Sequence, residues 1–158
     1  MYNTGSPLSA LPDRARERLL EHARECTFPE GTLLFEEGRR ADRFWVLLRG
    51  SVRLSLRVPT RPPMTVDTLH PEDLVGCSWL LPPYAWQLGA RTLAPVDTLE
   101  FDARAVRHLC DTDPETGYAL TRQVAAVLAR RLQQAHRRLL DLYGPYGTSP
   151  GTPLEEPA

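Results

Sequence analysis

The sequence predicts a mainly β domain with flanking helices, a double-stranded β-helix or jelly roll carrying a long C-terminal helix. Three observations predict it. From Thr32 to Asp102 apolar and polar residues alternate with period two. The runs in this stretch are short, and each is bounded by Gly, Pro or Asp. After Asp102 the period becomes helical and stays so. Many short strands with turn signals at this spacing fit a barrel or roll better than a doubly wound α/β fold.

The elements follow in order. Residues 1–10 read as a flexible lead-in, and residues 11–143 as one domain. Pro12 and Asp13 open a short helix, with proline in the first turn and an acid at the positive end of the dipole. Its apolar residues Ala15, Leu19, Leu20 and Ala23 share a face, and Pro29 and Gly31 end the segment. In GSVRLSLR, Val52, Leu54 and Leu56 point one way while Ser51, Arg53, Ser55 and Arg57 point the other. TLLFEE, RFWVLLRG, MTVDTL and DTLEFD read as further strands. Residues 103–110 make a short helix, Asp111 to Asp113 a break, and a long helix runs from Pro114 to Tyr143. The remainder, 144–158, is rich in Pro, Gly, Ser and Thr and is expected to be a disordered tail.

The long helix carries Tyr118, Thr121, Ala125, Leu128, Leu132, Ala135, Leu139 and Leu142 at alternating spacings of three and four, a heptad seam. Leu120, Val124 and Val127 form a second, shorter stripe. One stripe is free to pack on the roll while Thr121, Ala125, Leu128, Leu132, Ala135, Leu139 and Leu142 meet the same helix of a second copy. The alternative is one broad buried face in a monomer. Arg122, Arg130, Arg131, Arg137 and Arg138 are expected to flank the seam, with their stems covering it and their heads in water.

Composition narrows function. The chain has 158 residues, enough for one domain with a real core. Its 19 basic and 20 acidic residues nearly cancel, and every basic residue is arginine. A net charge of −1 lacks the positive field usual in nucleic-acid binding. Cys26, Cys77 and Cys110 are odd in number and far apart, which argues against a disulfide framework or a closed zinc site. There is no long apolar run and no signal-peptide core at the N-terminus, so a cytoplasmic protein with no membrane contact is expected.

No catalytic constellation emerges. His22, His70, His108 and His136 are widely separated, and a cupin-like metalloenzyme places two histidines close together on one strand. GxSxG, P-loop and GxGxxG motifs are all absent. We therefore expect no enzyme and no cofactor, leaving a small-molecule or nucleotide ligand of unknown identity open.

FPEGTLLFEEGRRADRFWVLLRGSVRLSL followed by LHPEDLVG resembles the cyclic-nucleotide-binding domain of the catabolite-activator and fumarate–nitrate regulator superfamily. Gly31, Gly38, Gly50 and Gly76 stand where that fold turns its β-roll corners, and Asp42 with the aromatic run after it also fits. The resemblance spans residues 8–143 and implies that the long helix forms a homodimer interface.

By the same resemblance, the ligand cassette is VGCSWLLPPYAWQLGAR, with Gly76, Cys77, Ser78, Trp86, Gln87, Leu88 and Arg91 as its binding residues. Here it departs from the pattern. The acid that takes the ribose hydroxyl corresponds to Cys77, and the arginine that pairs with the cyclic phosphate corresponds to Trp86. A thiol is a poor acceptor, and an indole cannot neutralise a phosphate. Arg91 is a candidate substitute cation if positions 87, 89 and 91 face inward. Trp79, Tyr84 and Trp86 leave two alternatives: a pocket for an apolar ligand, or a pocket filled by its own side chains.

Haem or iron–sulfur sensing, known in relatives of the superfamily, finds no support in the spacing of Cys77, His70 or the other cysteines. The helix-turn-helix that follows the long helix in that superfamily has no counterpart after residue 143. The expectation is a stand-alone regulatory or sensor module that does not bind DNA and does not hold cyclic AMP in the usual way. A ligand-free dimeric scaffold, or a module with a protein partner, is the alternative, and a cupin-like enzyme is a distant third.

Overall fold

A computed structural model describes residues 7–147. Residues 7–10 form a turn, and Leu8 packs against the core, so this part of the expected lead-in is ordered by contact. Residues 1–6 and 148–158, which include most of the expected tail, lie outside the described residues.

Helix α1 (Asp13–Leu20) buries Ala15 and Leu19. Ala23 falls outside it: Ala23–Phe28 is a strand, β1. Ala23 is in helical phase with Leu19, which explains the expectation. The edge position of β1 explains the miss, because it leaves half the residues exposed and shows no inward alternation.

Seven more strands follow: β2 (Leu33–Phe35), β3 (Arg43–Arg49), β4 (Val52–Leu56), β5 (Met64–Leu69), β6 (Leu74–Val75), β7 (Gly89–Thr92) and β8 (Val96–Asp102). They form two antiparallel four-stranded sheets, ordered β1-β8-β3-β6 and β2-β7-β4-β5. Apart from the consecutive pair β4 and β5, neighbours in each sheet are not consecutive in the chain, which is the winding of a roll.

Each predicted corner glycine has positive φ: Gly31 at 80°, Gly38 at 86°, Gly50 at 88° and Gly76 at 101°. At Gly50 a Cβ would lie 2.5 Å from the Pro95 carbonyl oxygen, so both conformation and space demand glycine.

Two aromatic layers flank the first sheet. Phe44 stacks on Trp79 and Phe101 with centroids 4.0 and 4.8 Å apart, on the side covered by the helices. Inside the roll, Phe35 stacks on Trp86 at 3.8 Å and on Trp45 at 6.0 Å, joining the two sheets. This accounts for the unbroken burial of Phe44 to Leu47 on β3, both of whose faces are covered.

Glu100, 7% exposed, ties three strands together at one end of the roll. Its carboxylate accepts from Trp45 Nε1 at 3.0 Å, Arg24 Nη2 at 2.8 Å and Arg43 Nη1 at 3.0 Å. Burial pushes its pKa up, but these donors outweigh burial and hold the carboxyl below its ordinary value.

Asp102 caps helix α2 (Ala103–Thr112) by accepting from the Ala105 N–H at 2.9 Å. Asp113 then starts helix α3 (Pro114–Gly147), accepting from the Thr116 hydroxyl at 2.9 Å, with Pro114 in the first turn. Helix α3 runs four residues past the expected end at Tyr143, so the start of the expected tail is helical. Arg14 and Arg18 of α1 each reach Asp113 at 3.5 Å. At Gly117 the two later helices meet closely: a Cβ there would lie 2.6 Å from the Cys110 carbonyl oxygen.

Two outcomes follow. Gly117→Ala lowers stability by about 1–3 kcal/mol through overpacking, although helix propensity alone favours alanine by about 1 kcal/mol; thermal denaturation decides the sign. For Glu100, a lowered folded pKa means its stabilisation is present above the ordinary carboxylate range and lost as pH falls through the lowered value. Glu100→Gln therefore costs about 1–3 kcal/mol at neutral pH. In urea unfolding the gap to wild type narrows below about pH 4.

Candidate functional site

A large, mainly apolar cavity lies between the roll and α3. It measures about 300 Å³ and is lined by Phe35, Leu54, Gly76, Cys77, Ser78, Trp86, Gln87, Leu88, Leu128, Arg131 and Leu132. Six of the seven residues expected in a cassette site thus meet in one place. Arg91 does not join them. Along β7, Ala90 and Thr92 are buried while Arg91 is exposed, so its side chain leaves the roll. Its Nη1 donates to the Gly31 carbonyl at 2.7 Å on the outer face.

Trp86 decides the shape of the site. It is 4% exposed and lies parallel to Phe35, with 11° between the rings. Gly76 makes this placement possible, since a Cβ there would sit 2.7 Å from the Trp86 ring. Trp86 also borders a second cavity of about 290 Å³ lined by Phe28, Leu33, Leu34, Asp42, Arg43, Trp45 and Glu100. The indole stands between an apolar chamber under α3 and a polar one at the Glu100 end. The two alternatives for the aromatic cassette therefore resolve in part: Trp86 fills the wall, and space remains beside it.

Trp79 does not enter this space. It is fully buried on the helix side, and its Nε1 donates to the Gly76 carbonyl at 3.0 Å. Tyr84 faces α2, where the Arg107 guanidinium lies 4.2 Å from its ring centroid. Arg107 also donates to the Trp79 carbonyl at 2.7 Å. The cassette loop is thus clamped from outside while its start, Gly76 to Ser78, and its end, Trp86 to Leu88, turn towards the cavity.

Arg131 is the one charged residue lining the chamber, and sequence reasoning misplaced it. It was expected to flank the exposed seam; instead it faces the roll. Its Nη2 donates to the Leu74 carbonyl at 2.6 Å and its Nη1 to Cys77 Sγ at 3.3 Å. Its Nε is buried without a hydrogen-bond partner. The signal was present: Arg131 continues, four residues on from Val127, the stripe of Leu120, Val124 and Val127 that the structure buries. Its neighbour Arg130 also turns to the roll and reaches Asp73 at 3.8 Å. Burial raises the Cys77 pKa, and the nearby Arg131 charge only partly offsets it, so the thiol stays protonated at neutral pH.

The seam residues lie on the exposed flank of α3, beside the buried stripe. Leu128, Leu132, Leu139 and Leu142 are 43, 57, 50 and 66% exposed, and Thr121 and Ala125 are exposed as well. Ala135 is intermediate. Leu128 and Leu132 belong both to the seam and to the cavity. Among the described residues no group of His, Cys, Asp and Glu is placed to hold a metal ion. No described helix is long and apolar enough to cross a membrane.

The site thus sits in a β-roll, in a cavity beneath a long C-terminal helix. The chain belongs to the cyclic nucleotide-binding domain family, whose model matches residues 25–113. A CRP-like cAMP-activated global transcriptional regulator of Mycobacterium tuberculosis is 28% identical over 124 residues, 78% of this chain and 54% of that protein. The chain therefore spans about half the length, 54%, of the curated relatives it matches. Among solved structures, the N-terminal domain of a transcriptional regulator from Streptomyces coelicolor is 28% identical. It superposes with a TM-score of 0.66 over 80% of this chain and 91% of that one. The Thermus thermophilus catabolite activator protein is 26% identical with a TM-score of 0.69, covering 88% of this chain and 63% of that one. The expected family and fold both hold.

Proposed function

We propose that this chain is a dimeric regulatory module whose chamber takes a compact apolar ligand bearing one anionic group, in place of a cyclic nucleotide held in the usual way. The observation that carries this is the pairing of Trp86 with Arg131. By the family resemblance, Trp86 stands where the phosphate-binding arginine belongs, and its ring is committed to Phe35 and Gly76. Arg131 is then the only charged residue lining a largely apolar chamber, with Nε unpaired. A half-buried guanidinium without a carboxylate partner carries a desolvation cost, and an anionic group on a ligand relieves that cost.

The output runs through α3. Burying an exposed leucine contributes about 1.5–3 kcal/mol, so the seam supplies the drive for pairing two copies. Because Leu128 and Leu132 serve chamber and seam together, a ligand that moves them changes the surface offered by the dimer. No nucleic-acid contact is assigned to this helix: of its five arginines, Arg130 and Arg131 are turned to the roll, and Arg122 bonds the Tyr118 hydroxyl at 3.1 Å.

In calorimetry, cyclic AMP titrated to about 1 mM gives no saturable heat; a micromolar Kd overturns the assignment of Trp86. Aromatic carboxylates raise the unfolding temperature of wild type but not of Arg131→Gln. If neither they nor nucleotides shift it, the ligand-free scaffold replaces the sensor. Leu139→Arg, which lies outside the chamber, yields monomers by light scattering, whereas an unchanged dimer removes the seam from the interface.

A further inference from the structure

The outer face of the second sheet holds a separate concentration of positive charge. Arg53 on β4 and Arg91 on β7 are direct cross-strand partners. Both point away from the interior, since Val52, Leu54, Ala90 and Thr92 between and beside them are buried. Side chains of directly paired residues start about 5 Å apart, and two like charges there are unfavourable unless something neutralises them.

Among the described residues neither arginine forms an ion pair. The Arg53 side chain forms no ion pair or hydrogen bond among the described residues, and its Nε is buried without a partner. Arg91 makes a single bond, to the Gly31 carbonyl at 2.7 Å. The nearby acids Glu36 and Glu37 line the same concavity as Arg57 and bond to Arg57 and Arg39, not to Arg53 or Arg91. Glu36 takes Arg57 Nη2 at 2.9 Å and Arg39 Nε at 3.7 Å, and Glu37 accepts the Arg57 backbone N–H at 2.9 Å.

These residues enclose a concavity of about 160 Å³. Its floor is the Ser55–Gly89 pair, where glycine leaves the Ser55 hydroxyl uncovered; a Cβ at 89 would lie 3.3 Å from that oxygen. Arg53 and Arg91 stand beside this floor, and Leu33 and Pro63 complete the wall.

We infer that this concavity is an anion site for a compact phosphate dianion, free or as a monoester, held by Arg53, Arg91 and Ser55. A dianion neutralises both guanidiniums, and its tetrahedral oxygens accept from two sides and from the hydroxyl below. A single carboxylate leaves one arginine uncompensated. The site is independent of the chamber under α3, which lies across the sheet and is lined by none of these residues.

Phosphorus NMR titrations of the whole chain test this, with inorganic phosphate, glycerol 3-phosphate and the monoanion dimethyl phosphate. Saturable one-to-one binding of at least one dianion is expected, with dimethyl phosphate at least about 10-fold weaker, and the tighter dianion identifies the source. Arg53→Gln and Arg91→Gln each reduce that affinity by at least about 10-fold. Neither lowers the unfolding temperature in phosphate-free buffer, because each relieves a like-charge contact. Arg104→Gln, on exposed α2 surface, and Arg131→Gln, in the chamber, leave phosphate binding unchanged. Absence of saturable binding by wild type, or its persistence in either Arg53→Gln or Arg91→Gln, overturns the proposal.

Discussion

The seat of Trp86 on Gly76 is the contact on which the rest of the site depends. Glycine at φ 101° turns the chain and leaves a flat surface where any side chain would collide with the indole. The ring settles there, stacks on Phe35 and closes the wall of the roll. That single placement divides the interior into an apolar chamber under α3 and a polar one beside Glu100. It also fixes the far end of the cassette: the Trp86 N–H donates to the Arg39 carbonyl at 2.8 Å, and its own carbonyl accepts from the Gly38 N–H at 2.8 Å. Around this anchor the loop from Cys77 to Ala85 is held by Arg107 and Trp79.

Helix α3 turns this local packing into a surface. One side buries Leu120, Val124 and Val127 against the roll and continues into Arg131; the other exposes the leucine seam. Near its middle the two sides meet at Leu128 and Leu132. The proposed sensing device needs no hinge beyond this, because a change in chamber packing acts on residues that also belong to the proposed interface. Rigidity comes from the N-terminal end, where Asp113, Thr116, Arg14 and Arg18 lock α3 to α1 and Gly117 lets it press on α2.

Much of the fold was legible because its signals are local. Corner glycines, two-residue alternation in β4 and the double stripe of α3 each follow from steric and burial constraints that act within a few residues. The edge strand β1 was not legible, since an exposed edge does not impose alternation and Ala23 mimics a helical phase. In the site, six residues from Gly76 to Leu88 could be read along one segment. Phe35, Leu54 and Arg131 could not, because strand winding and helix rotation bring them in from distant positions. The orientation of Arg91 was missed for a simpler reason: extending the alternation backwards from Arg91 to Gln87 crosses the start of β7 at Gly89, where the regular strand ends.

The central claim is that Trp86 and Cys77 occupy the positions from which this family grips a cyclic nucleotide, and it is most directly tested by putting the charged groups back. Calorimetry of cyclic AMP against a Cys77→Glu/Trp86→Arg double variant, shown by thermal denaturation to remain folded, should reveal binding at least about 100-fold tighter than wild type, as expected for two restored charge-assisted contacts. A folded double variant with no gain in affinity would contradict the account.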